Sequence, residues 1–196
     1  MNTPNNRASK PVMANVSNRH IHLCAADCES LFGSGYKLVK LKDLMQPGEH
    51  ACRETVSIIG RKGRIDDVRV LGPLRQATQV EISLTDSFRL GVAAPVRASG
   101  DVGGTPGIMI VGPAGRVELA QGVIVAKRHV HMTPADADAY GITHGEIISV
   151  RTPGDRGLVF ENVVARVSDK MALECHLDTD EANAAGLKNG TNVTIL

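Results

Sequence analysis

Residues 16–27 read VSNRHIHLCAAD, and residues 125–136 read VAKRHVHMTPAD. Six of the twelve positions are identical, and an Ile/Val and a Leu/Met pair add two close matches. Four of the chain's seven histidines fall in these two copies, 109 positions apart. Such a repeat constrains the fold more than composition does, because the same local structure must be built twice. Each copy leads into a short helical segment. CAADCESLFG carries Asp27 and stops at Gly33. TPADADAYG opens on a Thr-Pro start signal and stops at Gly141, a residue type suited to a helix end. DTDEANAAGLKNG reads the same way, with Asp178 or Thr179 as its cap and Gly186 as its stop. The repeated unit is therefore strand, R-H-x-H, capped helix. The chain reads as two related halves, and no Ser/Gly-rich or Pro-rich linker separates them.

Most of the remaining chain is strand-like. KLVKL, ETVSIIG, DDVRVLG, TQVEISL, GIMIVG, GVIVAKRHVHM, EIISVRT, LVFENVVARV, ALECHL and TNVTIL are short and rich in β-branched residues. Twenty Gly and nine Pro punctuate them, which predicts barrels or sandwiches rather than a βαβ layout. Aromatics are 3% of 196 residues and Trp is absent, so Val, Ile, Leu and Ala must build the core. A formal net charge of +1 argues against nucleic acid or an anionic membrane as partner. No apolar run reaches 18 residues, and the polar start MNTPNNRASKP lacks a signal-peptide apolar stretch. The four cysteines (Cys24, Cys28, Cys52, Cys175) form no C-x-x-C and read as reduced packing residues in a cytoplasmic compartment.

H-x-H on a strand puts both imidazoles on one face and the middle residue, Ile21 or Val130, on the other. Ligands on one side and an apolar anchor on the other suit a metal site, and zinc is the default ion for redox-neutral chemistry. Two further ligand candidates are His176, which precedes a capped helix, and Glu81, which Val80 and Ile82 flank on the opposite face. His50 and His144 lie in Gly-containing turns and read as surface residues. Arg19, Arg75 or Arg128 could clamp a phosphate with its guanidinium fork. The Gly-rich stretch RASGDVGGTPG at 97–107 could offer backbone N–H groups to an anion, although it is no P-loop.

VSNRHIHL, VLGPLRQATQVEISLTD, RASGDVGGTPG, GVIVAKRHVHM and LECHLDTDEANAAG together, in order and spacing, resemble the PduL-type phosphotransacylases. These are the phosphate propanoyltransferases of bacterial metabolosomes, associated with propanediol degradation. The resemblance runs from about residue 12 to the C-terminus. It implies a mainly β fold of two related β-barrels capped by short α-helices, the first barrel completed by the C-terminal part of the chain. The implied division is 12–18 with 127–196 as one barrel and 19–126 as the other, after a disordered lead over 1–11. It also implies two zinc ions per chain held by His20, His22, Glu81, His129, His131 and His176, with Arg75 as the essential arginine. Our grouping places Glu81 with His129 and His131, and His176 with His20 and His22.

The implied reaction moves a propanoyl or acetyl group reversibly between coenzyme A and inorganic phosphate, giving acyl phosphate. The implied setting is a bacterial microcompartment, with its shell or co-encapsulated enzymes as partners. Many members of the family carry an amphipathic N-terminal extension that directs packaging, whereas a short polar lead precedes Met13 here. Two other readings remain open at this stage. One is a two-zinc thioester or ester hydrolase, which phosphate dependence would separate from a transferase. The other is a shell-interaction module with structural metals, which closed four-ligand sites would favour.

Overall fold

In the computed structural model, residues 11–196 are described. The expected disordered lead lies outside them except for Pro11, which opens the first strand. The strands are β1 (Pro11–Ser17), β2 (His20–His22), β3 (Lys40–Asp43), β4 (His50–Ile59), β5 (Arg64–Gly72), β6 (Gln79–Glu81), β7 (Val96–Arg97) and β8 (Met109–Val111). They continue with β9 (Arg116–Glu118), β10 (Val123–Ala126), β11 (His129–Met132), β12 (Ile147–Arg151), β13 (Val159–Val167), β14 (Glu174–Asp178) and β15 (Thr191–Ile195). The helices are α1 (Ala25–Phe32), α2 (Leu84–Leu90), α3 (Pro134–Tyr140) and α4 (Thr179–Ala185).

The chain divides into two compact units. One holds β1, residues 45–47 and everything from Lys127 onward, and the other holds 18–44 and 48–126. Residues 45–47, which the sequence reading leaves in the central half, are tied to the first unit by Gln46. Its amide donates to the Ala172 carbonyl at 3.1 Å and to Glu174 Oε2 at 2.6 Å. The run GVIVAKRHVHM is two strands rather than one, broken at Lys127 and Arg128, where the chain passes from one unit to the other.

The first unit is a closed six-stranded barrel in the order β1-β14-β11-β13-β12-β15. The second is a nine-stranded curled half-barrel sheet, β7-β10-β6-β2-β5-β4-β8-β9, with β3 paired to β4. Their pairings correspond. β11 runs parallel to β13 and antiparallel to β14, as β2 runs parallel to β5 and antiparallel to β6. β1 runs parallel to β14 as β10 does to β6. In the barrel the single strand β15 pairs with both β1 and β12 and closes the ring. In the sheet the matching edges take two different strands, β7 on β10 and β8 on β4, so the ring opens there.

The correspondence reaches single residues. Asp67 in β5 and Asn162 in β13 both have left-handed backbone, with φ of 58° and 57°. They occupy equivalent places relative to β2 and β11, and both are residue types that tolerate this conformation. Each unit has its own aliphatic core, one around Ile21, Val68, Val80 and Ile110, the other around Val130, Val163, Leu177 and Ile195.

The helices start where short polar side chains meet orphan N–H groups. Ser83, Thr133 and Asp178 each accept from the backbone N–H three residues on, and Thr133 and Asp178 complete reciprocal capping boxes with Asp136 and Glu181. α2 corrects the sequence reading, which ran TQVEISL through as strand. Ser83 capping the Asp86 N–H ends that strand and starts a helix. Gly91, Gly141 and Gly186 end their helices with left-handed backbone. Thr133→Ala should therefore lower the free energy of unfolding by about 1 kcal/mol, while Thr133→Ser should hold it near the wild-type value, as urea denaturation would measure.

Candidate metal centres

Two antiparallel strand pairs bring the sequence-predicted ligands together. β2 against β6 sets His20 opposite Glu81 and His22 opposite Gln79. β11 against β14 sets His129 opposite His176 and His131 opposite Glu174. In each pair the middle residues, Ile21 with Val80 and Val130 with Cys175, face each other across the ladder and are fully buried. The period of two then forces the flanking side chains onto the opposite face. His20, His22 and Glu81 form one cluster and His129, His131 and His176 the other, with ligand atoms all within 4.8 Å of one another in each. This corrects our grouping, in which Glu81 and His176 were exchanged. Each H-x-H strand pairs with the ligand strand of its own unit, and strand register decides the partner.

The imidazoles are set for coordination. Nδ1 of His20 lies 2.8 Å from the Asn18 carbonyl, and Nδ1 of His129 lies 2.8 Å from the Lys127 carbonyl. A carbonyl only accepts, so both rings carry a proton on Nδ1 and, when neutral, present a lone pair at Nε2. Burial, with the nearby charges of His20 and Arg75, pushes His22 down to about 2. Burial, with His129 and His176, pushes His131 down to about 2 as well. Both are therefore neutral at physiological pH, the form a metal requires. Burial opposes charge on Glu81 and on His20, but each stabilises the other's ion. Glu81 is held well below the usual carboxylate range and His20 is raised.

The donor set fits a transition-metal ion. His129 Nε2 and His131 Nε2 lie 3.0 Å apart, a hydrogen bond when His131 carries its proton on Nε2 and close to the spacing of two nitrogens on one ion when both are deprotonated there. Tetrahedral zinc with Zn–N of about 2.0–2.1 Å separates two nitrogens by about 3.3 Å. At matching positions in the two clusters, His22 Nδ1 and His131 Nδ1 are buried without a hydrogen-bond partner. The cysteines take no part in these groups. Cys28, Cys52 and Cys175 are buried free thiols and Cys24 is half-buried; burial pushes Cys52 up to about 11 and Cys175 up to about 12. His144 is exposed, and the half-buried His50 covers Gly72 with its ring.

Arg75 belongs to the first cluster, where its charge acts on both His20 and His22. Its Nη2 donates to Glu49 Oε1 at 3.1 Å and its Nη1 to Ser99 Oγ at 3.2 Å. Ser99 Oγ in turn donates to Glu81 Oε1 at 2.9 Å. The Gly-rich loop thus links the arginine to the carboxylate, and its Gly100 N–H is taken up by Gln79 Oε1 at 2.7 Å. Sequence reasoning missed Gln79, Ser99, Glu49 and Glu174. A signal for two of them existed. HIHLCAAD, QVEISLTD, HVHMTPAD and ECHLDTDE, starting at 20, 79, 129 and 174, are four copies of one strand–cap–helix unit. Its third place holds the candidate ligands His22, Glu81, His131 and His176. Its first place holds His20, Gln79, His129 and Glu174.

Arg19 and Arg128, considered as phosphate clamps, are engaged elsewhere. Arg19 grips Asp86 with two hydrogen bonds, Nε to Oδ2 at 2.6 Å and Nη2 to Oδ1 at 3.0 Å. Arg128 Nε lies 3.1 Å from Glu181 Oε1 and stacks over Phe160. In both units the arginine before H-x-H braces the first turn of the helix that follows the opposing ligand strand. Asp86 is nearly buried, so losing its partner is costly even though Arg19 is partly exposed. Arg19→Met should lower stability by about 1–3 kcal/mol. The double variant with Asp86→Asn should recover much of that loss, since the uncompensated charge is gone. Urea denaturation of the three variants would check this; a change within about 0.5 kcal/mol for Arg19→Met would mark an ordinary surface residue.

Residues 13–188 match the family model described as phosphate propanoyltransferase. A protein of Thermotoga maritima named phosphate propanoyltransferase is 55% identical over 97% of this chain and 91% of its own length. Proteins of the same name from Salmonella typhimurium and Listeria monocytogenes are 54% and 49% identical, over 92% and 94% of this chain and 86% and 87% of theirs. Identity at this level over nearly the whole of both chains shows that this chain belongs to the phosphate propanoyltransferase family.

Proposed function

We propose that the chain is a zinc-dependent phosphotransacylase that moves a propanoyl or acetyl group reversibly between coenzyme A and inorganic phosphate. The observation that carries this reading is the tie from Arg75 through Ser99 to Glu81, which sets an anion-binding group beside a three-ligand cluster. His20, His22 and Glu81 would hold one zinc ion and His129, His131 and His176 the other. Three protein ligands leave a fourth position open, as in catalytic rather than structural zinc sites. When bound, zinc supplies positive charge that polarises an acyl or phosphoryl oxygen and favours departure of the thiolate.

The side chains supply positioning. Glu49 and Ser99 hold the Arg75 guanidinium from two of its nitrogens. Its remaining N–H groups are a fork for phosphate oxygens. A phosphate oxygen attacks the thioester carbonyl carbon, the C–S bond breaks, and coenzyme A leaves as thiolate. Arg75 offsets the charge that gathers on the tetrahedral carbon's oxygen and on phosphate as this happens. No protein nucleophile enters the sequence of steps. The Cys175 thiol, next in the chain to His176, is kept protonated by burial, which suits that role. The family resemblance further supports a place for this reaction inside a bacterial microcompartment. No described helix is long and apolar enough to cross a membrane.

Protein purified without chelator should contain close to two zinc ions per chain by elemental analysis, and His131→Ala should contain close to one. Propionyl-CoA cleavage should require phosphate and stop when a chelator removes the metal. Cleavage at an unchanged rate without phosphate would sink the transferase reading in favour of hydrolysis. Arg75→Ala should keep both ions and the wild-type stability while kcat falls by about 10²–10³. Wild-type phosphate kinetics in that variant would remove the arginine from the reaction.

A further inference from the structure

We infer that Gln79 and Glu174 are matched positioning residues, each orienting the third ligand of its cluster from two places earlier on the same strand. The inference rests on the metal-binding reading of the preceding subsection. The four-copy repeat frames it. In two copies the first place is a histidine that joins the ligands, His20 and His129. In the other two it is not among the ligands, and there it bonds to the third-place residue that is.

The chemistry of each pair is complementary, and the two pairs are opposite in sense. Glu81 is a carboxylate, and its neighbour is an amide that donates: Gln79 Nε2 lies 2.5 Å from Glu81 Oε1. The Gly100 N–H holds Gln79 Oε1, so the amide cannot turn its oxygen toward Glu81. Ser99 Oγ gives Oε1 a second donor. One carboxylate oxygen is thus occupied, and Oε2 is the one turned to His20 Nε2, 3.5 Å away. His176 is an imidazole, and its neighbour is a carboxylate that accepts: Glu174 Oε2 lies 3.0 Å from His176 Nε2. Asn15 Nδ2 donates to Glu174 Oε1 and Gln46 Nε2 to Oε2, both at 2.6 Å. With Nε2–H given to Glu174, the ring keeps its other nitrogen's lone pair for an ion. Glu174 is itself buried.

Outer partners of this kind fix ligand orientation and typically change metal affinity 10–100-fold when lost. The test is zinc titration against a chromophoric chelator, on the full chain, for wild type, Gln79→Met and Glu174→Gln. Cobalt(II)-substituted samples of each give the ligand-field spectrum as a second readout. Because each chain carries two clusters, the untouched one reports whether the variant is folded. Each variant should bind one ion about 10–100-fold more weakly, keep the other at wild-type affinity, and shift the cobalt bands of the weakened cluster only. Gln79→Asn and Glu174→Asp, which keep the donor or acceptor but shorten it, should lie between wild type and the first two variants.

Unchanged affinity and spectra at both clusters, with two ions bound by wild type, would overturn this inference and leave the proposed function standing. Equal weakening at both clusters would mark a general structural role and overturn it too. So would an oxygen of Glu174 found directly on the ion in a metal-bound crystal structure. Wild type that binds no ion would sink the metal reading and this inference with it.

Discussion

The antiparallel pairing of a three- or four-residue H-x-H strand with a second ligand strand is the constraint on which the rest depends. In both units the ladder fixes which side chains meet: His20 with Glu81, and His129 with His176. A slip of one residue would turn every ligand into the core and every anchor out of it. The buried middle residues oppose that slip. Ile21 against Val80 and Val130 against Cys175 would all lose their packing. Each cluster is therefore held in register by the hydrophobic effect on the opposite face of the same few residues.

This explains why short strands suffice. A three-residue strand contributes little by itself, yet β2 and β6 each lie between two neighbours in the sheet. A helix follows each of the four ligand strands, with a side-chain cap at α2, α3 and α4 and none at α1, where Cys24 stands at the start, and in each unit an arginine ties the H-x-H strand to the first turn of the opposite helix. Arg19 with Asp86 and Arg128 with Glu181 are the same brace made twice. Their carboxylates serve two ends, since Asp86 and Glu181 also stand in the first turn, where negative charge suits the helix dipole.

Much of this was legible in the sequence, because strong local signals carried it. The twofold R-H-x-H repeat, the Thr133 and Asp178 caps and the Gly141 and Gly186 stops all depend on residues close in the chain. The same is true of the inward-facing Ile21 and Val130. What was not legible depends on long-range pairing. Nothing near Glu81 says that its partner strand holds His20 rather than His129. That follows from which strand lies beside β6, a choice made across nearly sixty residues. The helix at α2 was hidden because Ile82 and Leu84 prolong the apolar alternation of β6, while the cap at Ser83 is a single side chain. Gln79 and Glu174 were passed over because neither resembles a ligand; only the four-copy alignment shows that they stand where histidines stand elsewhere.

The two clusters differ in which place of the strand carries the negative charge. In the first, the carboxylate is a candidate ligand, Glu81, and the residue behind it is a neutral amide. In the second, the three candidate ligands are imidazoles, and the residue behind His176 is the carboxylate Glu174. Exchanging donor and acceptor between the first and third places of the strand leaves one negative charge at each cluster. With a divalent ion proposed at each, the ion and that one carboxylate would sum to about +1 in both, while different atoms face a substrate. The first is further distinguished by Arg75, whose guanidinium reaches Glu81 only through Ser99. A buried direct pair between Arg75 and Glu81 would spend the arginine's charge on the ligand. The intervening hydroxyl keeps the two apart, so Glu81 stays oriented toward His20 while the guanidinium pairs directly with the partly exposed Glu49.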